Sequence, residues 1–252
     1  MRPCLLLIPA FTEVQWTIRD QLSEWAEVAS FDAPGVGVEP LPAGLRLEPG
    51  LPDEELAAGL AEWRRATAER GVEEVGRRGW ESFFVVTDSH SIPTGVLIAE
   101  QCIENVRGMA LGHAAMSRSM EGERPAMSKE VWSAMATMLR TDRDSFIRHA
   151  MVQVTGGSVT EDDATDMVER FPNNQLAVAV WDAMGVDPEP IEDELRALGL
   201  PLLLGQHAGC LGSTEEGFLD MVARFPEAET VVCSEACSAS PEFAEALREF
   251  CS

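Results

Sequence analysis

Phe83-Phe84-Val85-Val86-Thr87-Asp88-Ser89-His90-Ser91-Ile92-Pro93 is the stretch on which the fold turns. Phe83 to Val86 is an aromatic and β-branched run of strand type. Polarity then reverses over Thr87 to Ser91, and Ile92-Pro93 opens a helix, because proline suits a first helical turn, where its missing N–H leaves nothing unsatisfied. A strand that passes straight into a helix belongs to a βαβ unit. The same alternation recurs along the chain. Strands are expected at Leu5 to Ile8, Val28 to Phe31, Gly108 to Leu111, Leu202 to Leu204 and Thr230 to Val232, and helices over Trp16 to Ala26, Asp53 to Arg70 and Pro241 to Phe250. This pattern predicts an α/β fold with a mostly parallel central sheet flanked by helices. From Ser117 to Leu200 the spacing is almost wholly helical, in pieces at Glu130 to Leu139, Asp144 to Gln153, Asp162 to Arg170, Leu176 to Met184 and Ile191 to Leu198. A core of residues 1–116 and 200–252 with a helical cap over 117–199, inserted before the last strands, is the expected organisation.

Composition narrows the partners. The 252 residues are 45% hydrophobic and 25% charged, which suits a globular domain, and carry a formal charge of -24 with Lys129 as the one lysine. A surface so acidic repels nucleic acid and anionic membranes, so neither is an expected partner. The opening apolar run Leu5 to Ile8 is too short for a secretory segment, and no stretch reaches the roughly 18 to 20 apolar residues of a membrane span. Six cysteines (Cys4, Cys102, Cys210, Cys233, Cys237, Cys251) are scattered without a Cys-x-x-Cys pair, which favours a reducing cytoplasm and mostly buried thiols. No metal is expected from Asp88, His90, His113 and His207, since no pair has the spacing of a zinc site, and no cofactor is expected either. Composition leaves a homodimer open.

The arrangement resembles the α/β-hydrolase family over nearly the whole chain. Leu5-Leu6-Leu7-Ile8-Pro9-Ala10-Phe11 stands where that family runs a strand into its His-Gly oxyanion segment, and Asp32-Ala33-Pro34-Gly35-Val36-Gly37 is similar to its Asp-x-Pro-Gly-x-Gly loop. Thr87-Asp88-Ser89-His90-Ser91 falls at the Gly-x-Ser-x-Gly nucleophile elbow. Residues 117–200 match its cap, and the closing helix with Phe243, Leu247 and Phe250 matches its last. The resemblance implies Ser89 as nucleophile, with the backbone N–H groups of His90 and Phe11 as the oxyanion hole. Sterics agree on the register, because an elbow needs small residues two before and two after the nucleophile. Thr87 and Ser91 are small, whereas centring on Asp88 or Ser91 would put Val86 with His90, or Pro93, at those places. Neither flanking residue is glycine, so a tighter or displaced turn is expected.

The catalytic partners depart from the family. Gly205-Gln206-His207-Ala208 has alanine where the family carries its acid, and Glu235-Ala236-Cys237-Ser238 has cysteine where it carries histidine. A serine hydroxyl needs a base within hydrogen-bond reach, so a working enzyme must draw one from elsewhere. His207, beside the usual acid position, is the first candidate and His113 the second, both following strands at the carboxyl edge of the sheet. His90 is expected to turn its ring away from Ser89, and His149 lies on a cap helix. Asp88 and Glu235 are the acids placed to orient a displaced base. The expected activity is hydrolysis of a small ester, lactone or related acyl compound. A catalytically inactive ligand-binding or regulatory protein is the alternative, and cofactor-free lyase or rearrangement chemistry stands behind both.

Overall fold

The computed structural model describes residues 2–10, 15–36, 39–114, 129–154, 165, 168–169, 174–184, 186, 191–208 and 215–252. Among the described residues six strands, β1 (Cys4–Leu7), β2 (Glu27–Ser30), β3 (Phe83–Asp88), β4 (Val106–Gly112), β5 (Leu202–His207) and β6 (Glu229–Cys233), form one sheet in the order β2-β1-β3-β4-β5-β6. Every pairing is parallel. All carboxyl ends therefore lie on one edge. The chain reverses its direction of travel across the sheet between β1 and β3, which is the place where open α/β sheets bind ligands.

Alternation along the strands builds the two flanking layers. Leu6, Val85, Met109 and Leu204 face α2 (Asp53–Arg78) and α3 (Ile92–Gln101), with Leu195 and Phe218 from two later helices closing that layer. Leu5, Leu7, Val86, Ala110 and Leu203 face the opposite layer, where Leu22 of α1 (Arg19–Ser23) meets Phe243 and Leu247 near the end of the chain. Between β4 and β5 run α4 (Lys129–Thr141), α5 (Arg143–Val154), α6 (Asn174–Met184) and α7 (Glu192–Leu198). Leu139, Ile147 and Val180 from these helices form a third apolar cluster with Leu56, Leu60 and Trp63 on the first half of α2. Later in the chain, the described residues include α8 (Glu215–Arg224) and α9 (Pro241–Phe250). Among the described residues no helix is long and apolar enough to cross a membrane.

Departures from the sequence expectations have local causes. α2 continues past Arg70 to Arg78, through Gly71, because glycine there serves a close approach: a Cβ at 71 would lie 2.6 Å from Ile98 Cδ1 on α3. The helix stops at Gly79, whose φ of 67° is the left-handed cap that glycine adopts without strain. α1 is only Arg19–Ser23, shorter than the stretch from Trp16 to Ala26. α8 was not expected; Phe218, Met221 and Val222 give it a short apolar stripe against the sheet. The helix expected over Asp162 to Arg170 lies mostly outside the described residues.

Gly95 on α3 fixes how closely that helix approaches β3. A Cβ there would collide with Thr87 Cγ2 and stand 3.2 Å from Val85 Cγ1. Gly95→Ala should destabilise the fold by about 1 to 3 kcal/mol through overpacking. Gly76→Ala, with nothing within 4 Å of the added carbon, should instead stabilise by about 0.5 kcal/mol from helix propensity. Urea unfolding of the two variants checks the contrast.

Candidate active site

Ser89 follows the last residue of β3 with φ 56°, the left-handed region that a non-glycine residue enters at a cost of roughly 1–2 kcal/mol. Residues Ser89–Ser91 make one 3-10 turn before α3 begins at Ile92. The buried Ser91 hydroxyl locks this turn: it accepts from the Asp88 N–H at 3.0 Å and donates to the Asp88 carbonyl at 2.9 Å. Serine at 91 is thus bonded into the bend, and the glycine that strand and helix require for close approach stands at 95 instead. The half-buried Ser89 hydroxyl lies 3.4 Å from Nδ1 of His90. That ring, expected to turn away from Ser89, is instead folded back onto the bend. Burial, reinforced by the charge of Arg64, lowers the His90 pKa to about 4, so the ring is neutral at pH 7. Arg64 itself is a buried cation that sequence reasoning missed. Its signal was a charge four residues after Leu60, on the apolar stripe of α2.

One strand over, Asp88 pairs in register with Gly112, so His113 comes just past the end of β4 and beside Asp88. His113 also has a positive φ, 50°. Its Nδ1 lies 2.5 Å from Asp88 Oδ1, with both side chains buried. Asp88 Oδ2 accepts the Ser238 N–H at 3.3 Å. Burial alone would raise the Asp88 pKa, but the charge and hydrogen bond of His113 and the bond from Ser238 outweigh it and hold the carboxyl below its ordinary value. His113 Nε2 is shut off from bulk solvent.

His207, the last residue of β5, presents its ring edge-on to His113, with centroids 5.9 Å apart and planes at 89°. Burial, followed by the charge of His113, lowers the His207 pKa, while the charges of Asp88 and Glu235 pull the other way. Glu235 thus bears on His207, whereas Asp88 holds His113. Cys237, in the turn after β6, is fully buried. Phe11 and Cys210, and the side chain of His149, lie outside the described residues. The structure therefore brings Asp88, His113 and His207 together at the ends of three adjacent strands, with Ser89 and His90 at the neighbouring bend. Among the described residues no cluster of three or more His, Cys, Asp and Glu side chains is arranged to hold a metal.

No protein-family model matches the chain. No curated protein sequence matches it either. Solved structures do match. A hydrolase from Oleispira antarctica superposes with a TM-score of 0.71 at 12% identity, covering 100% of this chain and 91% of that one. The 2-hydroxy-6-oxo-6-phenylhexa-2,4-dienoate hydrolase of Rhodococcus sp. strain RHA1 gives 0.71 at 15% identity, over 99% and 90%. The fold is the α/β-hydrolase fold. An enol-lactonase from Burkholderia xenovorans LB400 shares it, with a TM-score of 0.67 at 15% identity over 99% and 91%.

The lowered His90 pKa has a consequence for stability. Because the folded-state value lies below the ordinary 6.5, the unfolded chain binds more protons between about 6.5 and 4. His90 stabilises the fold above that window and loses the contribution as pH falls through it. The His207 shift has the same sign, whereas the lowered Asp88 carboxyl acts only below about 3.8. Unfolding free energy measured in urea should fall between pH 6.5 and 4, and His90→Gln should remove on the order of 3 kcal/mol of that fall.

Proposed function

We propose that the protein is a serine hydrolase acting on a small ester, lactone or related acyl compound, with Ser89 as nucleophile and His113, oriented by Asp88, as general base. The observation that carries the reading is a serine in a strained strand-to-helix bend next to a buried Asp–His pair. Nδ1 of His113 is held by Asp88, which fixes the ring as an acid-oriented base, and Nε2 is the atom assigned to proton transfer. In this scheme Nε2 takes the Ser89 proton as Oγ attacks the acyl carbon, and the backbone N–H groups of His90 and Phe11 hold the oxyanion. The proton then passes to the leaving group, and water, deprotonated by the same nitrogen, releases the acid. His207 steadies the His113 ring edge-on, and Glu235 acts on His207. The helices between β4 and β5 serve as a cap, with 117–199 as its extent. The names of structural neighbours, including an enol-lactonase and an esterase from Thermogutta terrifontis, agree in reaction class. A small-molecule substrate and a cytoplasmic location complete this reading.

Ala208 and the buried Cys237, at the places where the family keeps its acid and histidine, favour one other reading: a fold that retains its pocket and binds a ligand without hydrolysing it.

A fluorophosphonate probe and short p-nitrophenyl esters separate the two. Labelling and turnover should be lost in Ser89→Ala, and His113→Ala should lower kcat by about a hundredfold or more. His90→Ala and His207→Ala should lose less. Full turnover in His113→Ala with loss in His207→Ala would make His207 the base. An inert wild type would favour the binding protein.

A further inference from the structure

We propose that Cys233 and Cys237 form a dithiol site that a peroxide-class oxidant converts to an intrachain disulfide, and that closing it displaces the Asp88–His113 pair. The site goes beyond the hydrolase reading; only its effect on turnover rests on that reading. Cys233 ends β6 and Cys237 sits four residues later in the turn before α9, with the two Sγ atoms 3.9 Å apart and the Cys237 thiol donating to Cys233. This pairing sets them apart from the lone thiols of Cys4, Cys102 and Cys251, each of which burial pushes upward. The hydrogen bond from Cys237 instead lowers the Cys233 thiol below its ordinary value, while the Cys237 thiol is held well above it. Cys233 is therefore the first nucleophile and Cys237 the resolving thiol.

The far end of this turn touches the Asp–His pair. Ser238, next in sequence, gives its N–H to Asp88 Oδ2, and the His113 backbone hydrogen-bonds Cys237. Cys237 is wedged against two strand glycines: a Cβ at Gly112 would stand 2.7 Å from its Cβ, and one at Gly205 would stand 3.0 Å from its Sγ. A disulfide requires the sulfurs to come within about 2.0 Å, so they must close by nearly half their separation. That movement is transmitted through Ser238 and the His113 backbone. Both thiols are buried, but among the described residues β6 is the edge strand, paired to β5, and Val232 on it is 61% exposed. Local opening of that edge admits a small oxidant.

The chemistry balances with hydrogen peroxide. The Cys233 thiolate attacks one peroxide oxygen, the O–O bond breaks, and with one proton a water leaves, giving the sulfenic acid. The Cys237 sulfur then attacks the Cys233 sulfur, the S–O bond breaks, and a second water leaves with the thiol proton. Two thiols are oxidised by two electrons and peroxide is reduced to two waters.

The test treats reduced full-length protein with hydrogen peroxide, blocks remaining thiols with iodoacetamide, and maps the tryptic peptide 225–248, whose only cysteines are Cys233 and Cys237. The peptide should appear unalkylated and two hydrogens lighter, and revert with dithiothreitol. Turnover of p-nitrophenyl esters should fall at least about tenfold and recover on reduction, since a misplacement of ~1 Å costs up to ~100-fold. Cys233→Ser, or Cys237→Ser if the first misfolds, should keep its turnover through the same treatment. A peptide that stays fully alkylated overturns the site. A disulfide that leaves turnover unchanged overturns the coupling. If the wild type turns over no acyl substrate, the hydrolase reading fails by itself; the imidazole NMR resonances of His113 then report the coupling, which a shift on oxidation supports and identical spectra overturn.

Discussion

A carboxylate enclosed in an apolar layer must be paired or hydrogen-bonded, because an isolated buried charge costs several kcal/mol. Asp88 is such a group, on the same face of the sheet as Val86, Ala110 and Phe243. Its two oxygens are met from different directions, Oδ1 by His113 and Oδ2 by the Ser238 N–H. The first contact requires β4 beside β3 with Gly112 opposite Asp88. The second requires the turn after β6 to fold back across β4 and β5 toward β3. Segments 25 and 150 residues away in sequence are thus drawn to one carboxyl group. Only a parallel sheet, with every carboxyl end on one edge, supplies that convergence.

Strain gathers at the same place. Ser89 and His113 are the only described non-glycine residues with positive φ, and they follow neighbouring strands. Conformations of this kind persist where surrounding bonds over-determine them. Here the Ser91 hydroxyl clamps the Asp88 backbone before the bend, and the Asp88 carboxylate holds the His113 ring after its own. The bend and the imidazole are therefore not independent features. One residue, Asp88, ties them through its backbone on one side and its side chain on the other. Electrostatics follow the same division: the rings of the half-buried His90 and the buried His207 are driven toward the neutral form, while the Asp88 carboxyl is kept ionised.

Most of the architecture was legible because the apolar runs and their periods are direct consequences of a buried parallel sheet. Phe83 to Val86 followed by Pro93 marked the strand-to-helix bend, and the helical stretch before Leu202 marked the helices that run between β4 and β5. The errors arose where a tertiary contact overrode a local signal. The helix expected to end at Arg70 runs on to Arg78, with Ile98 packed against Gly71. The non-glycine flanks of Ser89 read as a flaw in the motif until Ser91 is seen bonded into the turn and Gly95 is found to supply the missing space. In the site, Asp88, His113 and His207 were all legible as chemistry-bearing residues at strand ends. Their pairing was not, because which acid meets which imidazole depends on strand register and on a turn 150 residues distant, neither of which a sequence pattern encodes.

The Asp88–His113 contact is most directly tested by a double-mutant cycle on folding stability, with Asp88→Asn, His113→Gln and the combination unfolded in urea at pH 7. A pair that organises its surroundings as described predicts a coupling energy of at least about 1 kcal/mol, each single change costing much of what the double change costs. Additive losses, with a coupling energy near zero, would mean that the two side chains are neighbours without being partners, and would contradict the account.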